Sequence, residues 1–524
     1  MTRWAGSVQR DQLVLFTESL DKAIPAEHTV RILDEILGQL DWSDWEAAYH
    51  DRLGQPAIHP RILAGVLLYG LLTRVRSSRS LEEALNVRLD FRWLASDRRI
   101  DHTTLSEFRR NHPTELKDLF TRICQIAREM GFLNLQRLGY DGTRVRANNR
   151  RSGTRTVSEL QQERDELAAK FESLTSQAEA EDARDDEFFE SGGAHALPRD
   201  LRSQQARLAK LDATLRTLAQ VDQEGGTVPK RVPTTDLEAR LMPNKEGGFA
   251  PNYTPTATVD IDSGLIVGAD VLNDINEDGQ LVPSIVEVRN QFGISSTESI
   301  TAMADGLNGT AANLAACVAE NINLISPCEI PDAATNPALR ADPTQPVSPA
   351  DWNRLPIHTI NRQDKQTQLD KNAFVYDEER DCYWCPMGQP LKKFKKTSEQ
   401  NAHGRRTRFR YQAEPAACEG CPLRDRCLSN QAKSRQISRE ENEKYREDHA
   451  RKMATQEAQD LYKLRRHPGE RPFAIIKQQF GMRQFLLRGL DRIKTEWQWA
   501  VTAFNLHRLI SMLRIRAGPE PACH

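Results

Sequence analysis

The stretch Arg466-His-Pro-Gly-Glu-Arg-Pro-Phe-Ala-Ile-Ile-Lys-Gln-Gln-Phe-Gly-Met-Arg-Gln-Phe-Leu-Leu-Arg-Gly489 sets one acid, Glu470, among Arg471, Lys477, Arg483 and Arg488. Glu470 and Lys477 are separated by nearly two helical turns, so a helix puts both side chains on one face. Phe473, Ile476 and Phe480 recur at threes and fours and mark the buried stripe of that helix. A carboxylate ringed by cations is what a metal-bound acid beside phosphates needs; a solvated ion pair has the same pattern. Two further acids close predicted strands. Asp141 ends the run from Leu133 and is followed by Gly142, Arg144 and Arg146; Asp305 ends the run 299–304 and is followed by Gly306. An acid on a rigid strand end beside arginines suits a metal site reached by a polyanion, although Asp-Gly is also a common turn.

The cysteines point to different chemistry. Of nine, five cluster as Cys382, Cys385, Cys418, Cys421 and Cys427. In a reducing compartment such clustering reads as metal binding and not as a disulfide scaffold. Two Cys-x-x-Cys knuckles at this separation point to tetrahedral zinc, with five thiols competing for four positions. Between the knuckles, Lys392, Lys393, Lys395, Lys396, Arg405, Arg406, Arg408 and Arg410 interleave with Phe394, Phe409 and Tyr411. That mixture fits contact with a DNA backbone, or a solubilising face on a structural zinc module.

These groups must be positioned by several units, since 524 residues are enough for three or four domains. The chain has 72 basic and 74 acidic residues, a net charge of −2, so any case for nucleic acid rests on local patches. No run reaches the roughly 18 apolar residues that span a bilayer, and the first residues lack the apolar core of a signal peptide, so a cytosolic protein with no membrane partner is expected. Residues 1–132 read as helices. Ser19 or Asp21 is placed to cap a first helix, and 30–37 has helical periodicity. His59-Pro60 opens an apolar helix through Leu72, Ser77-Ser78-Arg79-Ser80 reads as a turn and cap before a helix from Leu81, and Asp101-His102-Thr103-Thr104 caps another. With Arg74, Arg76 and Arg79 at a corner, this region fits a helix-turn-helix DNA reader or a bundle with a basic edge. Leucines at spacings of threes and fours across 157–220 predict a coiled-coil hairpin with an acidic tip, serving as a dimerisation arm or as a passive hairpin. From about 230, a strand hairpin across Asp262-Ser263-Gly264, a helix over 282–292, a strand ending at Asp305, a helix over 310–320 and a strand over 323–326 give an α/β pattern. A last helix over 492–515, rich in Trp497, Trp499, Phe504 and Leu509, is expected to pack over the sheet.

Asp141 within Tyr-Asp-Gly-Thr-Arg-Val-Arg-Ala, Asp305 within Met-Ala-Asp-Gly, and Glu470 followed by Phe-Leu-Leu-Arg-Gly489 resemble the DDE transposases of bacterial insertion sequences. Ser19-Leu20-Asp21, His59-Pro60 and Ser77-Ser78-Arg79 match the helical front end of that group, and the cysteine insertion falls in the right order. The resemblance implies an α/β, RNase H-like catalytic core made of 133–156, 230–345 and 455–515. It implies an all-α DNA-binding domain over 1–132, a coiled-coil insertion over 157–229 and a zinc-binding insertion over 346–454. Among the competing acids Asp236, Asp260, Asp262, Asp274 and Asp278, none combines strand end, following glycine and family match as Asp305 does.

The same resemblance implies that Asp141, Asp305 and Glu470 are catalytic and hold two Mg²⁺ or Mn²⁺ ions about 3.5–4 Å apart. Water would nick DNA at the element's end, and the freed 3′-hydroxyl would attack a second strand, by hairpin formation or direct transfer. Lys477 matches the lysine of the family's Y-R-E-K signature and Arg466 its arginine. Lys463 stands where the tyrosine belongs, with Tyr462 one place early. Lys477, Arg466, Arg144, Arg146, Arg483 and Arg488 are the expected DNA contacts. Structural Zn²⁺ would be held by Cys385, Cys418, Cys421 and Cys427, with Cys382 as the alternative ligand. The implied partners are double-stranded DNA, as terminal inverted repeats and target, and a second copy of the chain on paired ends. Such a protein would be cytoplasmic and nucleoid-associated. A transposase-derived DNA-binding protein that no longer cuts, and a hydrolytic nuclease of the same fold, are the alternatives.

Overall fold

The computed structural model describes residues 19–49, 56–149, 153–186, 199–223, 230–233, 235–243, 248–274, 277, 279–328, 335–361, 366–401, 404–429 and 431–517. Its principal N-terminal helices are α1 (Thr29–Gly38), α2 (Pro60–Leu72), α3 (Ser78–Val87), α4 (His102–Asn111) and α5 (Pro113–Glu129). Ser77 and Asp101 cap α3 and α4 as expected, the Ser77 hydroxyl accepting from Ser80 N–H and the Asp101 carboxylate from Thr103 and Thr104 N–H. The first cap differs. His28 caps α1, while Ser19 and Asp21 lie in a preceding turn where Asp21 pairs with Arg31. α2 is apolar around its circumference and is buried accordingly, from Leu63 to Leu71.

Two long helices, α6 (Val157–Asp186) and α7 (Arg199–Gln223), pack on each other through Leu160, Leu211 and Leu218. Of the expected tip, which the acidic residues from 179 onward were to form, 179–186 instead continue α6 and 187–198 lie outside the described residues. Seven strands then form one mixed sheet: β1 (Arg137–Gly142), β2 (Val145–Arg146), β3 (Arg240–Pro243), β4 (Phe249–Asp260), β5 (Ile266–Leu272), β6 (Ile300–Met303) and β7 (Ile322–Ile325). Across the sheet the order is β5–β4–β1–β6–β7, with β2 and β3 paired along β4. β4 is antiparallel to β1 and β5, whereas β1, β6 and β7 run parallel. Parallel neighbours need crossovers, here α8 (Leu281–Phe292) before β6 and α9 (Ala311–Ala319) before β7.

The cysteine-rich segment folds around a five-stranded antiparallel sheet, β8 (Val375–Asp377), β9 (Cys382–Trp384), β10 (Pro390–Asn401), β11 (Gly404–Ala413) and β12 (Gln436–Glu440), paired in chain order. It has its own core, with Tyr383, Leu391, Tyr411 and Ile437. The chain returns through α10 (Glu443–Met453), α11 (Gln456–Leu464), α12 (Arg466–Gln478) and α13 (Leu490–Ala517). α13 packs over the sheet as expected: Trp497 is buried and donates its ring N–H to Thr256 O. It also packs on α2 and α5, so the N-terminal helices and the seven-stranded sheet share one hydrophobic core. No helix among the described residues is long and apolar enough to cross a membrane.

Of the corner arginines, Arg74 and Arg79 are exposed, whereas Arg76 serves this shared core. Arg76 donates to Gly481 O (2.7 Å), Gln484 O (2.8 Å) and Glu496 Oε1 (3.0 Å), and the side chains of Arg76 and Glu496 are 13% and 5% exposed. Arg76 is thus spent inside the protein and not at a DNA-facing corner. Arg76→Ala strands the Glu496 carboxylate and should cost about 3–5 kcal/mol, read as a lower urea midpoint at unchanged slope.

A pH effect arises on α10. His449 is buried, its Nε2–H donates to Ser326 O at 2.9 Å, and burial pulls its pKa below the ordinary histidine range. Burial also lowers His507. The unfolded chain takes up these protons below about pH 6.5 while the fold resists them, so stability should fall as pH drops through that range. The slope is at most about 1.4 kcal/mol per pH unit for each histidine. His449→Gln should flatten part of that decline in denaturant titrations at pH 7.5 and 5.5.

Candidate active site

β1 and β6 are parallel neighbours, and Gly139 is in register with Met303. Two residues further along stand Asp141, still in β1, and Asp305, just past the end of β6, so the sheet itself brings these two acids to one edge. Asp305 caps a short 3-10 turn, its Oδ1 accepting from Leu307 N–H (3.2 Å) and from the Asn308 amide (3.0 Å). α12 packs against β1 and carries Glu470, which is exposed. Burial pushes the Asp141 carboxyl above the ordinary aspartate range. The Arg465 guanidinium opposes this, and the negative charges of Asp305 and Glu470 add to it. Asp141 therefore feels the charge of both other acids predicted from sequence.

Two residues that sequence reasoning passed over join them. Glu277, in the segment before α8, is half-buried, and burial with Asp141 and Asp305 nearby raises its carboxyl to about 7. It packs on Gly142: a Cβ there would stand 2.8 Å from Glu277 Oε2 and closer still to Oε1. The only sequence signal was its place in an acidic run, in which Asp274 and Asp278 drew attention instead. The second is Arg465, whose guanidinium lies 3.2 Å from Asp141 Oδ2 and 3.4 Å from the Tyr462 hydroxyl. Arg465 stands at the junction of α11 and α12. A tyrosine and an arginine three residues apart are thus present one place earlier than the alignment on Arg466 requires, and the helix junction absorbs the extra residue. Arg466 heads α12, and its side chain lies outside the described residues.

The expected DNA-contacting residues separate into two groups. Arg146, Arg483 and Arg488 are exposed along one edge, where Arg146 N–H donates to Arg483 O (3.3 Å) and Arg488 Nε donates to Asn148 O (3.2 Å). Arg144 and Lys477 are half-buried and engaged: Arg144 donates to Pro243 O (2.6 Å), and Lys477 Nζ donates to Thr143 Oγ1 and to Arg144 O (2.9 Å). Among the competing acids, Asp260 is the buried last residue of β4 and accepts from Leu135 N–H and from Ser263. Asp236 accepts from the Tyr253 hydroxyl and Gly489 N–H, and Asp262 pairs with Arg137. Asp274 is exposed, and Asp278 lies outside the described residues.

In the cysteine-rich unit, Cys385, Cys418, Cys421 and Cys427 pack together on the module's core; burial first, and then the neighbouring thiols, push the Cys385 and Cys427 thiols up. Cys385 Sγ accepts two backbone N–H bonds, from Met387 and Gln389, both at 3.3 Å, as a metal-bound thiolate would. Cys382 stands apart in β9, with Asp377, Arg380 and Asp381 around it. The β10–β11 hairpin carries the basic residues, but its aromatics are unequal. Phe394 is exposed, Phe409 lies under the Lys393 ammonium at 3.9 Å, and Tyr411 is buried with its hydroxyl on Asp381. Tyr411 is a core residue and not a stacking surface. Among the described residues, no three His, Cys, Asp or Glu side chains stand, as placed, in ligating geometry.

Two family models match. One, described as Transposase DDE domain, covers residues 384–510, which include the four clustered cysteines, Glu470 and Lys477 but neither Asp141 nor Asp305. The other, described as Transposase domain (DUF772), covers residues 18–111. No curated protein and no solved structure matches the chain.

Proposed function

We propose, on the premise that the chain belongs to the DDE transposases of insertion elements, that it cuts and joins DNA through Asp141, Asp305 and Glu470. The observation that carries this is Asp141 at one end of the parallel strands, within reach of the charges of Asp305 and Glu470 from distant parts of the chain. The strand order, three antiparallel neighbours followed by two parallel additions, supports reading the sheet as an RNase H-like core interrupted by the helical hairpin and the cysteine module.

The carboxylate oxygens fit a hard divalent cation such as Mg²⁺ or Mn²⁺, which when bound would polarise the phosphate and activate the attacking oxygen. The protein's own groups do the positioning. Arg146, Arg483 and Arg488 form an edge for phosphates beside the acids, and Lys477 fixes the loop after β1 that carries Asp141. Arg465 supplies counter-charge to Asp141 and so opposes part of the effect of burial. Cys385, Cys418, Cys421 and Cys427 would hold Zn²⁺, whose thiolate chemistry the two N–H bonds to Cys385 suit. That ion would brace the β10–β11 hairpin as a second basic surface for duplex DNA. Cutting at both ends of an element calls for two copies of the chain, one at each inverted repeat.

The test is cleavage of a labelled duplex carrying the element's own end, in Mg²⁺ or Mn²⁺ and in EDTA, by wild type and Glu470→Gln. Metal-dependent cutting by wild type alone is the expected outcome. Binding without cutting by wild type in either metal would make the chain a DNA-binding relic and overturn the proposal.

A further inference from the structure

We infer that the buried Arg76–Glu496 pair clamps the backbone of residues 481–489 and so sets Arg483 and Arg488 against DNA, with Glu496 as their positioning residue. This rests on the function proposed above, in which those arginines meet phosphates, and adds what holds them in place. Residues 481–489 run irregularly between α12 and α13, so their backbone groups need partners from elsewhere. Two ions supply them from opposite sides. The Arg76 guanidinium, reaching over from the turn before α3, takes the carbonyls of Gly481 and Gln484. The Glu496 carboxylate, on α13, accepts Leu486 N–H with both oxygens at 3.0 Å and Leu487 N–H at 2.9 Å. The cation thus sits on carbonyls and the anion on N–H groups, and the two meet each other at 3.0 Å. Each bond is charge-assisted and formed away from water.

The same segment is tied to the sheet. Phe485 N–H donates to Arg146 O at 2.8 Å, and the Asn148 amide donates to Leu486 O at 2.6 Å. Beyond it, Gly489 N–H reaches Asp236 at 3.2 Å and Leu490 N–H reaches Glu238 at 2.9 Å. With the backbone drawn inward by three carboxylates and an arginine, Arg483 and Arg488 stand exposed beside Arg146. Their side chains bond only to the neutral Gln478 and Asn148, and among the described residues no carboxylate pairs with either. Their charge is therefore left for a polyanion. A long arginine loses less freedom on meeting a phosphate when the backbone beneath it is already fixed, and the clamp supplies that fixing.

The experiment measures binding of the full-length chain to a labelled duplex carrying the element's own end, over a range of KCl concentrations. The readout is the slope of log affinity against log salt, which counts phosphate contacts at about 0.9 each and does not follow stability. Arg483→Ala/Arg488→Ala should make that slope shallower by nearly two. Glu496→Gln touches no DNA, yet it should lose much of the same slope. In the Arg483→Ala/Arg488→Ala background it should lose nothing more, because both act through one segment. Arg76→Lys keeps a cation for Glu496 but cannot fork across two carbonyls, so it should fold and show the same loss in smaller measure. It decides alone if Glu496→Gln does not fold. Wild-type slopes in the folded clamp variants, with a shallower slope in Arg483→Ala/Arg488→Ala, would make the clamp a matter of stability only and overturn the inference. A wild-type slope in Arg483→Ala/Arg488→Ala would instead overturn the proposed phosphate edge, and the inference with it.

Discussion

Glu470→Gln is expected to lose cleavage at the element's end by about a thousandfold or more while binding the same duplex nearly as well as wild type. A metal at such a site contributes several kcal/mol of charge stabilisation, and each 1.36 kcal/mol is tenfold in rate. Glutamine keeps the shape of the side chain but removes the charge that holds the ion. Glu470 is exposed on α12, so the change should not disturb packing. Affinity for the duplex comes from lysine and arginine contacts to phosphates, with a salt slope set by their number, and that slope should not change. Asp141→Asn should be equally inactive, with one added signature. In the metal-free protein, burial and the neighbouring acids outweigh Arg465 and disfavour the Asp141 carboxylate, so neutralising it should not lower the melting temperature in EDTA. Cleavage by Glu470→Gln at the wild-type rate would show that the third acid lies elsewhere.

The second large effect belongs to the cysteines. Cys421→Ser should abolish zinc retention and unfold the module built on β8–β12, whereas Cys382→Ser should keep both. Structural zinc sites contribute about 10–16 kcal/mol at neutral pH in small finger peptides, and the module's own core is small. The four thiols sit beside one another, and burial and this proximity hold Cys427 up at about 12. That arrangement is unfavourable for thiolates unless a cation binds them. Metal analysis after gel filtration should find one zinc per chain in wild type and Cys382→Ser, and none in Cys421→Ser. The near-ultraviolet signal of packed Tyr376, Tyr383 and Tyr411 should collapse with the metal. Zinc retained by Cys421→Ser and lost by Cys382→Ser would reverse the ligand assignment.

The sequence by itself determined what has a local cause. Apolar spacing placed the helices, and Ser77 and Asp101 marked two of their starts because a hydroxyl or carboxylate satisfies free N–H groups at a helix end. Alternating apolar runs and an Asp-Ser-Gly turn placed the β4–β5 hairpin. Strand ends followed by glycine selected Asp141 and Asp305, and helical spacing put Glu470 and Lys477 on one element. The first cap was misread because the chain from Ser19 turns before α1 begins, and a turn and a cap use the same residue types.

Only the tertiary structure decided which groups meet. The parallel register of β1 and β6, set by pairing across more than a hundred residues, put Asp141 beside Asp305. The α11–α12 junction turned Arg465 onto Asp141. Packing of α13 against both the sheet and the N-terminal helices drew Arg76 into the interior, where its three partners all come from the chain's far end. Glu277 has no periodicity or motif to betray it; its place is fixed by an absent side chain at Gly142. Periodicity reports which face of an element is buried, but not which distant element covers that face, and charge pairing depends on that second choice.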